Sequence, residues 1–320
     1  STMNPGRAYY SNKAVLNHAA VNPAFSLLYS ATHQADFGSQ FRYLEQEKSD
    51  GLFRDLMSQQ PASADTIFEG TPDIYLIIAE SFSSHLLPSQ GGEAIAVKLD
   101  SLARNGVLFD NFYASSFRTD RALPAILGAI PGQPNTSLMK YISKTEGLPS
   151  IPASLRKAGY GLSYYYGGDV NFTNMKSYLV NCGFENIISD NDFPLSERTG
   201  KWGAHDHLVF ERVLEDVKSS QDIAPQLRVI QTSSSHEPYE VPYTDTHENA
   251  AANAFAYTDS CIGAFADSIA RLPRKSLIII VPDHYGCYPT GLEGEEERHH
   301  VPLIFSGNAL LHNGVRIGTY

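Results

Sequence analysis

Four short polar runs in this chain hold residue types that could act together on a phosphate ester. Glu80 ends the apolar run Ile74–Ala79, and the pair Asp283-His284 follows the apolar run Ser276–Val281. His236 comes shortly after Leu227–Thr232, behind three serines. Carboxylate and imidazole ligands together suit a divalent ion such as Mn²⁺, Zn²⁺ or Mg²⁺. Thr119 lies in Ser-Ser-Phe-Arg-Thr-Asp-Arg, where Arg118 and Arg121 could neutralise phosphoryl oxygens. A threonine alkoxide forms at neutral pH only if its pKa is lowered, which direct metal coordination achieves. Taken alone, that segment reads more plainly as a helix N-terminus capped by Thr119, with Asp120 compensating the dipole. Asp169, in Tyr-Gly-Gly-Asp, is placed either to bind hydroxyls or to make a turn. Trp202 is either a pocket wall or part of a helix start.

These residues need a scaffold that brings distant strand ends together. Apolar segments at 74–79, 107–112, 162–166, 227–232, 276–281 and 301–305 alternate with helical patterns at 97–104, 119–128, 151–158, 174–180, 206–218 and 253–271. That alternation predicts an α/β fold, a mostly parallel central sheet with helices on both faces. In such sheets ligands gather at the carboxyl ends of the strands, where Glu80, His236 and Asp283 lie. Residues 1–68 read as a helical, irregular arm, and 69–320 as one catalytic domain.

Composition narrows the function. The 320 residues are 42% hydrophobic and 18% charged, enough to bury a core, and carry a formal charge of −11. A nucleic-acid binder would need a basic face, so no nucleic-acid partner is expected. A phosphorylated substrate remains compatible, since one divalent ion sets the local field. Three cysteines without a CxxC pair predict neither a disulfide framework nor a structural zinc site. No apolar run is long enough to span a bilayer and no signal peptide opens the chain. The abrupt ends are those expected of a piece cut from a longer protein.

With those residues in view, the order of segments resembles the lipoteichoic-acid synthase-like branch of the alkaline phosphatase/sulfatase superfamily, which includes phosphoglycerol transferases. The resemblance runs through IYLIIAESF, LARNGVLFDNFYASSFRTDRALPAILGAIPGQP, YYYGGDVNFTNMKSYL, KWGAHDHLVF, SSSHEPYEVP, AYTDSCIGAF, DHYG and HHVPLIF, and the arm segment LNHAAVNPAFSLLYS fits as well. It implies an alkaline phosphatase-like fold with one metal ion, Mn²⁺ first and Mg²⁺ or Zn²⁺ next, held by Glu80, Thr119, Asp283 and His284. It implies that Thr119 becomes a phosphothreonine while His236 binds phosphoryl oxygen and handles the leaving-group proton. Arg118, Arg121 and Asp169 would complete the substrate contacts. Implied partners are a phospholipid head-group donor and a glycan or lipid acceptor. The enzyme would be anchored through N-terminal transmembrane helices absent from this sequence, with its catalytic domain on the periplasmic or extracellular side. Two departures stand out. The Phe-Trp-Asn-Arg run of those synthases corresponds to Phe172-Thr173-Asn174-Met175, without the Trp and Arg. The CxPxR motif of arylsulfatases is missing, which disfavours sulfate esters. Phosphoethanolamine transfer is the alternative chemistry, and a catalytically silent lipid-binding domain the alternative class. The family usually continues past VPLIF, so a C-terminal portion is expected to be absent.

Overall fold

A computed structural model describes residues 5–32, 42–58, 66–242 and 246–318. Among the described residues, three α-helices precede the first strand: α1 (Ala14–Ala20), α2 (Pro23–Thr32) and α3 (Gln46–Ser58). The remainder of the expected arm, residues 1–4, 33–41 and 59–65, lies outside the described residues. The start of the chain packs on the sheet domain, where Tyr9 is buried and the Lys176 Nζ donates to the Tyr10 carbonyl at 3.4 Å.

Among the described residues, eight strands form one sheet in the order β4-β3-β5-β1-β6-β7-β2-β8. They are β1 (Asp73–Ala79), β2 (Val107–Phe109), β3 (Gly161–Tyr166), β4 (Asn186–Ile188), β5 (Gln226–Gln231), β6 (Ser276–Pro282), β7 (Leu303–Ser306) and β8 (Val315–Ile317). β7 runs antiparallel to both its neighbours, and every other pairing is parallel. The expected mostly parallel sheet is therefore present, with one reversal. The last expected strand, the VPLIF run, is the one that returns against β6. β4 and β8, three residues each, carry too little apolar pattern to be read ahead. The strand expected over 107–112 stops at Phe109, because Asp110 turns to pair with Arg316 and its carbonyl accepts from His300 Nε2 at 2.5 Å.

The centre of the sheet is covered on both faces, which explains the unbroken apolar runs of β1 and β6. Along β1, Tyr75, Ile77 and Ala79 enter one core with Phe255, Ile262 and Phe265 of the long helix Ala250–Ala270. Ile74, Leu76 and Ile78 enter the other. That second core also holds Leu123 and Leu127 of helix α4 (Thr119–Gly128) and Tyr178 and Leu179 of helix α5 (Met175–Asn181). Period-two alternation in the strand thus decides which helix each side chain meets. It also ties the helix that begins at Thr119 to the strand that ends at Glu80.

Helix α4 contains Pro124, which has no N–H to offer the Asp120 carbonyl four residues earlier. The Ser137 hydroxyl donates to that carbonyl instead, at 2.5 Å in a buried setting. Ser137→Ala should leave the carbonyl without a partner and cost about 1–3 kcal/mol. Thermal denaturation checks this; an unchanged midpoint would show that another donor takes over.

Candidate active site

β1 and β6 are parallel neighbours with Ala79 opposite Pro282, so the next residues, Glu80 and Asp283, emerge side by side. β5 flanks β1 on its other edge, with Gln231 opposite Ile78. The Glu80 N–H donates to Thr232 Oγ1 at 2.9 Å, and Ser235 Oγ donates to the Glu80 carbonyl at 2.6 Å. Three strand ends are thereby stitched into one edge. Ser81 adopts a left-handed backbone (φ 65°) that aims its N–H at Asp283 Oδ1 (2.8 Å) and its hydroxyl at Glu80 Oε1 (2.7 Å). Strain of this kind concentrates at functional sites.

The carboxylates, one imidazole and the threonine meet here. One ligand atom from each of Glu80, Asp283 and His284 lies within 4.8 Å of the others, the one such group among the described residues. Asp283 Oδ1 accepts from the N–H groups of Ser81 and His284, while its Oδ2 is buried without a hydrogen-bond partner. His284 Nδ1 faces the Tyr285 carbonyl at 3.0 Å, so the neutral ring keeps its proton on Nδ1 and leaves Nε2, on the side of the carboxylates, as the atom free to bind a cation. Thr119 Oγ1 donates to Glu80 Oε2 at 3.2 Å and lies 3.3 Å from His284 Nε2.

Thr119 is not the helix cap that its local sequence suggests. Arg118 holds the N-cap position and makes no side-chain cap, so Thr119 is the first helical residue with its hydroxyl turned to the cluster.

The electrostatics favour a cation. Burial, then the neighbouring Asp283, pushes the Glu80 carboxyl up to about 8. His284 is pulled down by burial, but Asp283 and Glu80 outweigh that and leave it above its ordinary value. Two buried carboxylates, one with an orphaned oxygen, and an imidazole presenting its lone pair fit a divalent ion. Below about pH 8 the Glu80 proton must leave when the ion binds. Metal affinity should therefore climb with pH and level off above about 8. Calorimetry in buffers of different ionisation enthalpy should detect proton release at pH 6.5; none would refute this. Between about 4.5 and 8 the metal-free fold holds a proton that the unfolded chain has lost. Its stability should accordingly fall as pH rises through that window.

Beside the cluster lies a cavity of about 50 Å³ lined by Glu80, Thr119, Asp120, Tyr166, Phe172 and Trp202, with His236 at its wall. His236 packs against Trp202 with the rings tilted (centroids 4.5 Å apart, interplanar angle 56°), and Trp202 meets Phe172 edge-on at 6.1 Å. Trp202 thus reaches this cavity from a different loop than Phe172 does.

Arg118 is half-exposed, its Nε 3.5 Å from Asp120 Oδ1. The structure does not bring Arg121 and Asp169 to the cavity wall. Arg121 Nη1 donates to the Pro134 carbonyl at 2.7 Å, and its guanidinium lies over Phe117. Asp169 Oδ1 accepts from the Asn171 N–H and Nδ2, closing a turn. Sequence reasoning passed over Ser81 and Ser235, and read Asp206 only with Trp202 as a pocket wall or a helix start. The three consecutive serines look like a spacer, yet each makes a buried hydrogen bond.

The profile of the family described as Sulfatase matches residues 72–317, most of the chain. The chain belongs to the sulfatase family. It is an enzyme of that sulfatase-like class, and solved structures share its fold. A protein in the alkaline phosphatase superfamily from Vibrio parahaemolyticus superposes with a TM-score of 0.75 at 23% identity, over 86% of this chain and 71% of its own. The lipoteichoic acid synthase LtaP from Listeria monocytogenes gives 0.64 at 17% identity, over 84% and 72%. The Streptococcus pyogenes phosphoglycerol transferase GacH, solved with sn-glycerol-1-phosphate, gives 0.56 at 15%, over 82% and 73%. Among the described residues of this sulfatase-family chain, no helix is long and apolar enough to cross a membrane.

Proposed function

We propose that this sulfatase-family chain transfers a phospho-alcohol group, phosphoglycerol in the first instance, from a lipid-derived donor to a glycan or lipid acceptor in the cell envelope. The observation that carries this reading is the Thr119 hydroxyl, 3.2 Å from Glu80 and 3.3 Å from His284 beside the orphaned Asp283 oxygen. A divalent ion held by Glu80, Asp283, His284 and Thr119, Mn²⁺ first among candidates, would lower the pKa of the threonine hydroxyl and offset phosphoryl charge. Thr119 first loses its hydroxyl proton to solvent and its Oγ1 then attacks phosphorus; the Oγ–P bond forms and the bond from phosphorus to the lipid alcohol breaks. His236 gives that alcohol its proton and later takes one from the acceptor hydroxyl, whose oxygen attacks phosphorus and frees Thr119. Arg118, half-exposed and next to Thr119 in the chain, would meet phosphoryl oxygens. Residues 69–320 are taken as the catalytic unit and 1–68 as an arm toward a membrane-anchored part.

Support comes from the family, from the joint placement of Glu80, Thr119, Asp283 and His284, and from the presence of threonine where sulfate-ester hydrolases use a converted cysteine or serine. Those four residues together also speak against a silent lipid-binding domain. One observation favours phosphoethanolamine as the second reading. The residues lining the cavity include no lysine or arginine, while Phe172, Trp202 and the Asp120 carboxylate suit an ammonium group. Incubation with phosphatidylglycerol or phosphatidylethanolamine plus Mn²⁺, then peptide mass mapping, tests both. A phospho-alcohol adduct on the Thr119 peptide is expected and its mass names the alcohol; an unmodified peptide under turnover would sink the phosphothreonine route.

A further inference from the structure

The run from Gly200 to Asp206 does more than wall the cavity. Its two ends grip the two ends of the turn that carries His236. At one end Asp206 is wholly buried. Its Oδ1 accepts from the N–H groups of Ser233 (2.8 Å) and Ser234 (3.2 Å), and its Oδ2 from the Thr258 hydroxyl at 2.7 Å. In return the Asp206 N–H donates to Ser234 Oγ at 3.0 Å. At the other end the Trp202 Nε1–H donates to the Glu237 carbonyl at 2.9 Å, while its indole packs on the His236 ring.

The middle of the run is pinned to the end of β3. The Ala204 N–H donates to the Gly167 carbonyl at 2.9 Å. Gly203 has φ 111°, and a Cβ there would sit 2.1 Å from that same carbonyl. Only glycine fits such an approach.

The Glu237 carbonyl is where this matters for chemistry. It also receives His236 Nδ1 at 3.0 Å. A carbonyl oxygen only accepts, so Nδ1 carries the proton and Nε2 is the ring atom left for the cavity. We propose that Trp202 and Asp206 are positioning residues that hold His236 in its Nδ1–H form with Nε2 toward the Thr119 side of the cavity. Trp202 fixes the carbonyl and the ring plane; Asp206 fixes the strand-to-turn junction. This deepens the transfer reading, on which its kinetic part rests, because only an Nε2 facing the cavity can exchange a proton with the leaving alcohol. The histidine's tautomer can be read without any turnover.

Long-range ¹H–¹⁵N spectra of the full chain, with the His236 signals assigned by their loss in His236→Gln, provide the test. Neutral His236 should appear as the Nδ1–H tautomer. In Trp202→Phe, which keeps an aromatic ring but removes the N–H, and in Asp206→Asn, it should drift toward the Nε2–H form that dominates free imidazole. Rates supply a second readout. Asp206→Asn should slow transfer from a phospholipid donor at least ~10-fold in the parent and by no further factor in a His236→Ala background. An Nε2–H tautomer in the parent, spectra unmoved by both variants, or equal losses in both backgrounds would overturn the proposal. If Asp206→Asn does not fold, Trp202→Phe alone decides the tautomer. The expected tautomers with no Thr119 adduct would remove the transfer reading and leave the positioning role standing.

Discussion

Thr119→Ala should lower transfer from a phospholipid donor by at least ~10³-fold, the scale seen when a covalent nucleophile is removed. Thr119→Ser should retain a measurable share. The alanine variant keeps Glu80, Asp283 and His284, so metal binding should weaken only by the loss of one neutral oxygen. Its fold should be nearly unaffected, because Arg118, not Thr119, stands at the N-cap and no side-chain cap is lost. Intact protein, bound metal and absent turnover together form the expected signature. Wild-type rates in Thr119→Ala would mean that another group attacks phosphorus, or that water does so directly.

Asp283→Asn has the second-largest expected effect. Its Oδ1 still accepts the N–H groups of Ser81 and His284, so the local backbone should hold. What changes is Oδ2, the orphaned buried oxygen, which becomes an amide donor facing Glu80 and His284. Metal affinity should fall by at least ~100-fold, and transfer with it. The metal-free protein should become more stable, since a carboxylate that raises Glu80 has been neutralised. Denaturation with and without Mn²⁺ checks both halves. A parent-like gain in melting temperature on adding Mn²⁺ would show that Asp283 is not a ligand.

Much of this arrangement could be read from the sequence because central strands are insulated from context. β1 and β6 are buried on both faces, so their residues had to be continuously apolar, and the polar residue after each was bound to lie at the carboxyl edge. Helix α4 was equally legible, since its bounds follow from local signals.

What escaped the sequence depends on direction or on distance along the chain. Arg118 directly precedes Thr119, whereas Arg121 follows it by two positions, and residues two apart on a helix point to different sides. Arg121 is thereby turned away, toward Pro134 and Phe117. Asp169 was caught by its own turn, a local competition that short polar side chains commonly win. Trp202 reaches the cavity from 30 residues beyond Phe172, a convergence that no local pattern encodes. β7 reverses because it pairs in space with β6, and its composition is that of any buried strand.

One contact two residues past His284 bears on how this site can vary. The Gly286 N–H donates to the Ser81 carbonyl at 3.1 Å, and a Cβ on Gly286 would fall 2.2 Å from the Ser81 Cβ. Ser81 in turn orients both carboxylates. A saturation-mutagenesis screen should therefore score Gly286 as intolerant as a ligand, although it donates nothing to a cation. Its inactive variants should cluster with those of Ser81, marking a pair whose mutational histories are tied.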